Sequence, residues 1–306
     1  MSTVRHTPVL AETAVELLLA RRSGLFVDGT VGTGGHTELI LETAGPSTEV
    51  LGIDRDARAL EEARARLAVF GERLKLVCAN FRDIAHLLGG RKADGFLLDL
   101  GVSTYQLSDA KRGFSYMANG PLDMAMGEDG HSVGEFISSS EEREIADVLR
   151  EYGEERRSRA IAREIVRLRD SRGMESTLQL REAVAKATPA RDVNGTLSRV
   201  FQALRVWANG ELESLSEFLP AAVEHSNPGG RIVVISYHSL EDRIVKRFFR
   251  QEALGCVCPK DFPECRCGKL PRLTVLTRSA VRPSPEEIER NSRSRSAKLR
   301  VAEKLA

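Results

Sequence analysis

Four short apolar runs, three of them ending on a carboxylate, constrain this chain more than any other feature. Gly24-Leu-Phe-Val-Asp28 and Val50-Leu-Gly-Ile-Asp54 share one design, and the first runs directly into glycines. Leu74-Lys-Leu-Val-Cys78 and Gly95-Phe-Leu-Leu-Asp99 continue the series. Asp56 to Phe70, rich in Ala, Leu, Glu and Arg, reads as a helix between them. Continuous apolar strands separated by helices specify an α/β fold whose mostly parallel sheet is covered on both faces.

The pattern changes after Asp99. Gly101 to Gly130 is loop-like, and helical periodicity then takes over. Ile145, Val148, Leu149 and Tyr152 follow i, i+3, i+4, i+7 spacing, as do Leu197, Val200, Phe201 and Leu204. Sheet-type sequence returns with Arg231-Ile-Val-Val-Ile-Ser236 and Leu273 to Thr277. The expected organisation is a discontinuous α/β domain, residues 1–109 and 208–306, with a helical insert at 110–207. Trp207 and Cys78 read as packing residues.

Composition narrows the function classes. Hydrophobic residues at 42% and charged residues at 29% provide a sizeable core and argue against wholesale disorder. Lys+Arg 45 against Asp+Glu 44 excludes a uniformly basic coat, so nucleic-acid contact must come from local patches. Aromatics at 5% argue against base stacking on an aromatic sheet. No apolar stretch is long enough for a membrane span, Met1 to Ala20 lacks a secretory core, and five cysteines are an odd number. A cytoplasmic protein is expected.

The first strand leads into Asp28-Gly-Thr-Val-Gly32-Thr-Gly34-Gly35-His36, a loop whose glycines permit close backbone approach to a ligand. Asp54 ends the next strand 20 residues after Gly34 and is placed to accept both hydroxyls of an adenosine ribose. A dinucleotide fingerprint wants G-x-G-x-x-G, and its third glycine is missing here. Asp28, four residues before Gly32, fits the D-x-x-x-G-x-G loop of S-adenosylmethionine enzymes instead. Phe81 is expected over the adenine, with Asn80 or Asp83 at its edge. Asp99 closes a strand at the sheet's carboxyl edge, where burying it for packing would be costly.

Longer motifs carry a resemblance. They are His6-Thr-Pro-Val-Leu10, the Asp28–His36 loop, Gly52-Ile-Asp-Arg-Asp56, Asp99-Leu-Gly-Val-Ser103, Arg112-Gly-Phe-Ser115 and Gly120-Pro-Leu-Asp-Met124. Phe201-Gln-Ala-Leu-Arg205, Ser236-Tyr-His-Ser-Leu-Glu-Asp-Arg243 and Asn291 to Arg300 follow in the same order. Over nearly its whole length the chain resembles the bacterial small-subunit (16S) ribosomal RNA cytosine-N4 methyltransferases. The resemblance implies a class I S-adenosylmethionine-dependent methyltransferase domain with a helical insert. It implies S-adenosylmethionine as methyl donor, contacted by Gly34, Gly35, His36, Asp54, Phe81, Asp99 and Gln106. The implied acceptor is a cytidine in the decoding region of 16S rRNA, within the small ribosomal subunit or an assembly intermediate. Many amino-methylating enzymes end their fourth strand with Asn/Asp-Pro-Pro-aromatic; this chain has Asp99-Leu-Gly-Val, so their amine-gripping residues do not transfer.

Methylating an exocyclic cytosine amine requires its delocalised lone pair to be localised and aimed. Asp99, Ser103, Asp123 and His238 are the polar groups expected near the base, with Asp99, Asp123 and His238 as catalytic candidates. The pocket mouth is expected at Ser108 to Met126 with the insert, and Arg112, Arg205 and Arg243 are candidates for phosphate contact. Arg290 to Arg300 concentrates five basic residues and no acidic one, so Arg293, Arg295, Lys298 and Arg300 read as RNA-binding; Ala297 and Leu299 are able to pack on the sheet edge. Cys256-x-Cys258 and Cys265-x-Cys267 are more tightly spaced than the usual C-x₂₋₄-C of structural zinc, the resemblance implies no metal, and none is assigned. The sequence leaves open the oligomeric state, a homodimer included, as well as naked rRNA against assembled subunit. A nucleotide-dependent oxidoreductase and a non-catalytic, S-adenosylmethionine-sensing assembly factor are the competing classes.

Overall fold

The computed structural model describes residues 8–306 except 104, 105, 108, 128, 129, 259–263 and 265. The apolar runs are strands: β1 (Leu25–Asp28), β2 (Glu49–Asp54), β3 (Leu74–Cys78), β4 (Ala93–Asp99), β5 (Ser226–Ser236), β6 (Leu273–Val275) and β7 (Lys298–Lys304). They form one seven-stranded sheet in the order β3-β2-β1-β4-β5-β7-β6. β1 through β5 pair in parallel, and β7 lies antiparallel to both β5 and β6. This is the class I S-adenosylmethionine-dependent methyltransferase sheet, as expected.

The continuous apolar runs are explained by burial on both faces. In β4, Phe96 and Leu98 point into one core while Leu97 joins the other. In β5, Ile232 and Val234 alternate with Val233 and Ile235 in the same way. Full burial of each such side chain is worth roughly 1.5–3 kcal/mol. The near face is covered by α1 (Ala11–Leu18) and α2 (Gly35–Thr43), which supply Val15, Leu18 and Ile40. The far face packs on α10 (Glu211–Glu224) and α11 (Ser239–Glu252), through Leu215, Phe218, Val245 and Phe249. Leu60 and Ala63 of α3 (Ala57–Arg66) make a small cluster of their own, and α4 (Ile84–Leu88) adds Ile84 to the far face.

The chain divides into two compact units, Met1–Gly101 with Leu212–Ala306, and Val102–Glu211. These boundaries lie eight residues before and four residues after those read from the sequence. The second unit contains α5 (Val133–Ser139), α6 (Glu142–Gly153), α7 (Ser158–Arg172), α8 (Thr177–Lys186) and α9 (Val193–Asn209). Its core includes Ile145, Val148 and Leu149 of α6 and Leu197, Val200, Phe201 and Leu204 of α9. Trp207 packs on Phe136, ring centroids 4.0 Å apart. Among the described residues no helix is long and apolar enough to cross a membrane.

One sequence expectation fails here. Cys78 is exposed, because β3 is an edge strand. The end of the basic segment joins the sheet, where Ala297 and Leu299 pack: Lys298–Lys304 is β7, inserted between β5 and β6, with Leu299 opposite Ile235 and Val301 opposite Val233.

Candidate active site

Parallel strands deliver their final residues to one edge, and the chain reverses direction across the sheet between β1 and β4. That switch point is where open α/β sheets bind ligands. Asp28, Asp54 and Asp99 end β1, β2 and β4, so three carboxylates meet a single glycine loop.

Asp28 is 1% exposed and organises the loop. One oxygen accepts the Thr37 hydroxyl at 2.7 Å and the other the Thr30 amide at 3.1 Å. Burial pushes its carboxyl above the ordinary value, although the nearby His36 and these two donors oppose the shift. The Thr30 hydroxyl in turn accepts the Asp99 amide at 2.6 Å, which ties the loop to β4. Gly34 caps α2 with φ 88°, a conformation that favours glycine. A Cβ on Gly35 would lie 2.4 Å from Pro8, so the N-terminal segment closes over the start of α2.

Asp54 accepts the amides of Gly32 at 2.7 Å and Asp56 at 2.9 Å, one on each oxygen. A carboxylate has about four lone-pair directions, so capacity remains for hydroxyl donors. Burial pushes Asp54 up to about 6 despite those two bonds. A Cβ built on Gly32 would meet nothing within 4 Å; the loop borders open space there.

Asp99 lies between Tyr237 and His36. Its Oδ1 accepts the Tyr237 hydroxyl at 2.7 Å, and its Oδ2 lies 3.8 Å from His36 Nδ1. Burial pushes Asp99 up to about 7; the Tyr237 bond opposes the shift and Glu241 adds to it. The His36 Nε2 bonds the Val9 carbonyl at 3.1 Å. A carbonyl only accepts, so Nε2 carries the proton and Nδ1 presents its lone pair towards Asp99. Burial holds this imidazole below its ordinary value, the neighbouring Asp28 notwithstanding.

Residues 3–305 match the pattern of the MraW methylase family. The chain belongs to that family. A protein of Carboxydothermus hydrogenoformans called ribosomal RNA small subunit methyltransferase H is 48% identical over 98% of both chains. One of the same name from Heliobacterium mobile is 48% identical over 98% of this chain and 99% of its own. The crystal structure of a putative rRNA methylase from Clostridium thermocellum covers 99% of both chains at 11% identity, with a TM-score of 0.46; the fold assignment rests on the strand order.

Several family motifs have a structural task in this chain. Tyr237 and Glu241, within Ser236–Arg243, were not singled out in the sequence, although they lie in a quoted motif. Glu241 is 1% exposed and accepts the amides of Tyr237 at 2.8 Å and His238 at 3.2 Å. It thereby holds the turn that aims Tyr237 at Asp99. His238 caps α11, its Nδ1 accepting the Glu241 amide. Its Nε2 sits 3.1 Å from Glu241 Oε1 but outside hydrogen-bond alignment. Phe81 meets Phe218 edge-on, centroids 5.5 Å apart. Asn80 caps the short turn Phe81–Asp83 through Arg82 and donates to Ser214 at 3.2 Å.

Gln106 and Asp123 belong to the second unit. Gln106 is buried and its carboxamide oxygen accepts the Ser103 amide at 2.9 Å. Asp123 is half-buried, and its carbonyl accepts the Val133 amide at the start of α5. His6 and Thr7 of the first motif, and Ser108 of the expected pocket mouth, lie outside the described residues.

The basic candidates separate into two groups. Arg293 and Arg295 are exposed on the short helical turn Ser292–Ser296. Arg300 is only 8% exposed and donates to Asp242 at 2.6 Å; Lys298 reaches the same carboxylate at 3.2 Å. Burial acts to raise the Asp242 carboxyl, and these two cations more than reverse that, leaving it below the ordinary value. Strand pairing and Asp242 engage Lys298 and Arg300, the two candidates for RNA contact that lie on β7. Arg205 makes a two-point pair with Glu211 at 2.8 and 2.9 Å. Arg112 donates to the carbonyls of Ala125 and Met126. Arg243 is exposed.

Proposed function

We propose that this chain transfers the methyl group of S-adenosylmethionine to the exocyclic N4 of a cytidine in the decoding region of 16S ribosomal RNA. Family membership supports methyl transfer. The observation that carries the chemistry is the Asp99 carboxylate, held by Tyr237 at the switch point beside the glycine loop.

The residues fit the donor. S-adenosylmethionine brings two cationic centres and a ribose diol, and the edge offers desolvated carboxylates around open backbone at Gly32. Gly34, Gly35 and His36 shape the loop, Asp54 has free lone pairs for the diol, and Phe81 stands for the adenine. Gln106 enters this set from the sequence.

The bound sulfonium supplies an electrophilic methyl, whose carbon–sulfur pair stays on sulfur as the nitrogen–carbon bond forms. Asp99 accepts an amine N–H, which localises the N4 lone pair, and Tyr237 fixes its orientation. Proton loss completes the reaction and needs no strong base. Asp123 and His238 are the further catalytic candidates. The base leaves its stack to react, at a cost of a few kcal/mol that is least for an unpaired nucleotide. Arg293 and Arg295 contact RNA phosphate.

The test is transfer of labelled methyl from S-adenosylmethionine to naked rRNA, partial particles and assembled small subunits, with nucleoside analysis of the product. Labelled N4-methylcytidine is expected. Label on another base overturns the acceptor, and S-adenosylmethionine binding without label in any substrate overturns the enzyme.

A further inference from the structure

Between the end of α11 at Glu252 and the start of β6 at Leu273, the chain runs through a segment in which no described residue is helix or strand. Leu254, Val257 and Leu270 are exposed there, at 45%, 55% and 77%. Connections this long without helix or strand are unusual in a compact domain. None of the described residues between Ala253 and Arg272 is buried, so apolar burial among them supplies no order and another source is called for.

Three cysteine sulfurs converge on this segment. The Sγ atoms of Cys256, Cys258 and Cys267 all lie within 4.8 Å of one another, and those of Cys256 and Cys267 are 3.8 Å apart. Zinc binds thiolate sulfur at about 2.3 Å, so two sulfurs on a tetrahedral ion stand about 3.8 Å apart. The observed separation already suits an ion between them. Backbone amides point at the sulfurs as well: Cys258 donates to Cys256 Sγ and Arg266 to Cys258 Sγ, each at 3.4 Å. Amide donors orient sulfur ligands around a metal. The tight C-x-C spacing argues against zinc in sequence, but folding of the loop brings the third sulfur from 11 residues away and closes the set. Cys265 lies outside the described residues, and nothing here rests on it.

We infer that Cys256, Cys258 and Cys267 bind one Zn²⁺, which staples the α11–β6 connection. Three thiolates select a soft ion, and zinc holds such a loop without redox chemistry. The site is independent of methyl transfer, because its ligands lie outside the carboxylate edge that carries the proposed chemistry.

The experiment uses the full chain, purified under reducing conditions. Metal analysis should find one zinc per chain. Replacing it with Co²⁺ should give the intense near-ultraviolet charge-transfer absorption of thiolate ligation. Cys267→Ser and Cys256→Ser should each lose stoichiometric metal while keeping wild-type circular dichroism and S-adenosylmethionine affinity. A chelator should speed proteolysis of the wild-type chain within 253–272 and leave the rate for Cys267→Ser unchanged. Wild-type protein that binds zinc no better than the Cys256/Cys258/Cys267 triple serine variant overturns the site. So does a chain isolated without reductant that is metal-free, with Cys256 and Cys267 joined as a disulfide.

Discussion

The Tyr237 hydroxyl donates to Asp99 Oδ1 across 2.7 Å, so the residue that follows β5 fixes the carboxylate that ends β4. Glu241 accepts the Tyr237 amide at 2.8 Å, which makes the start of α11 the support for this contact. The orientation of Asp99 thus depends on residues 138 positions later in the chain.

Tyr237→Phe removes that donor without removing the ring. A hydrogen bond to a charged group is worth about 1.5–3 kcal/mol, so kcat for methyl transfer should fall at least about tenfold. Because the bond holds Asp99 down, its loss should also move the acidic limb of the pH–rate profile to higher pH. An unshifted limb would assign Tyr237 to packing only.

Asp99 and Asp54, pushed up to about 7 and about 6, make S-adenosylmethionine binding dependent on pH. A folded-state value above the unfolded one means the native chain keeps protons that the unfolded chain has released. Stability of the ligand-free protein should therefore fall as pH rises from about 4 through 7. A cationic ligand relieves the penalty, so the rise in Tm on adding S-adenosylmethionine should be larger at pH 7.5 than at pH 5.5. Thermal scans at both pH values measure it, and an equal or reversed difference contradicts the assignment.

Asp54→Ala should weaken S-adenosylmethionine at least about tenfold, since each charge-assisted bond contributes about 1.5–3 kcal/mol. The variant also frees the Gly32 and Asp56 amides. Calorimetry of Asp54→Asn, which retains a carbonyl acceptor, separates the diol contact from loop support. Unchanged affinity in both variants removes Asp54 from the donor site.

The basic residues near the C-terminal strand should split by task. Arg293→Ala with Arg295→Ala should reduce the salt dependence of RNA binding by about 1.4, given roughly 0.7 per phosphate contact on a single strand. Asp242→Ala should leave that slope alone and destabilise the fold by about 3–5 kcal/mol, because it strands the buried Arg300 charge. Binding across a salt series and denaturant unfolding test the two halves of the claim.

The sheet was legible because both of its faces are buried, so β1, β2, β4 and β5 read as plain apolar runs, and β1, β2 and β4 each end on a carboxylate. β7 was not. Its Lys298, Arg300, Glu303 and Lys304 mask a strand whose interior residues are Leu299, Val301 and Ala302, and the charge of Arg300 is neutralised by Asp242, 58 residues away. No local pattern reveals such a partner. Asp28, Asp54 and Asp99 were found because a carboxylate closing an apolar strand is conspicuous. Tyr237 and Glu241 passed as members of a motif, since only the tertiary fold shows what they hold.

The contiguity of Val102–Glu211, set inside a sheet unit made from two separate stretches, reverses the order in which the molecule can mature during synthesis. The helical unit is complete in the growing chain while β4 still lacks its β5 neighbour. Until Ser226–Ser236 is made, β4 presents an unpaired edge with an apolar run beside it, and such edges recruit wrong partners. The helices can become proteolytically resistant first, and the carboxylate edge, where Tyr237 meets Asp99, comes into being only afterwards. Slow translation between residues 211 and 236 would prolong that exposed interval, so aggregation of nascent chains should concentrate there.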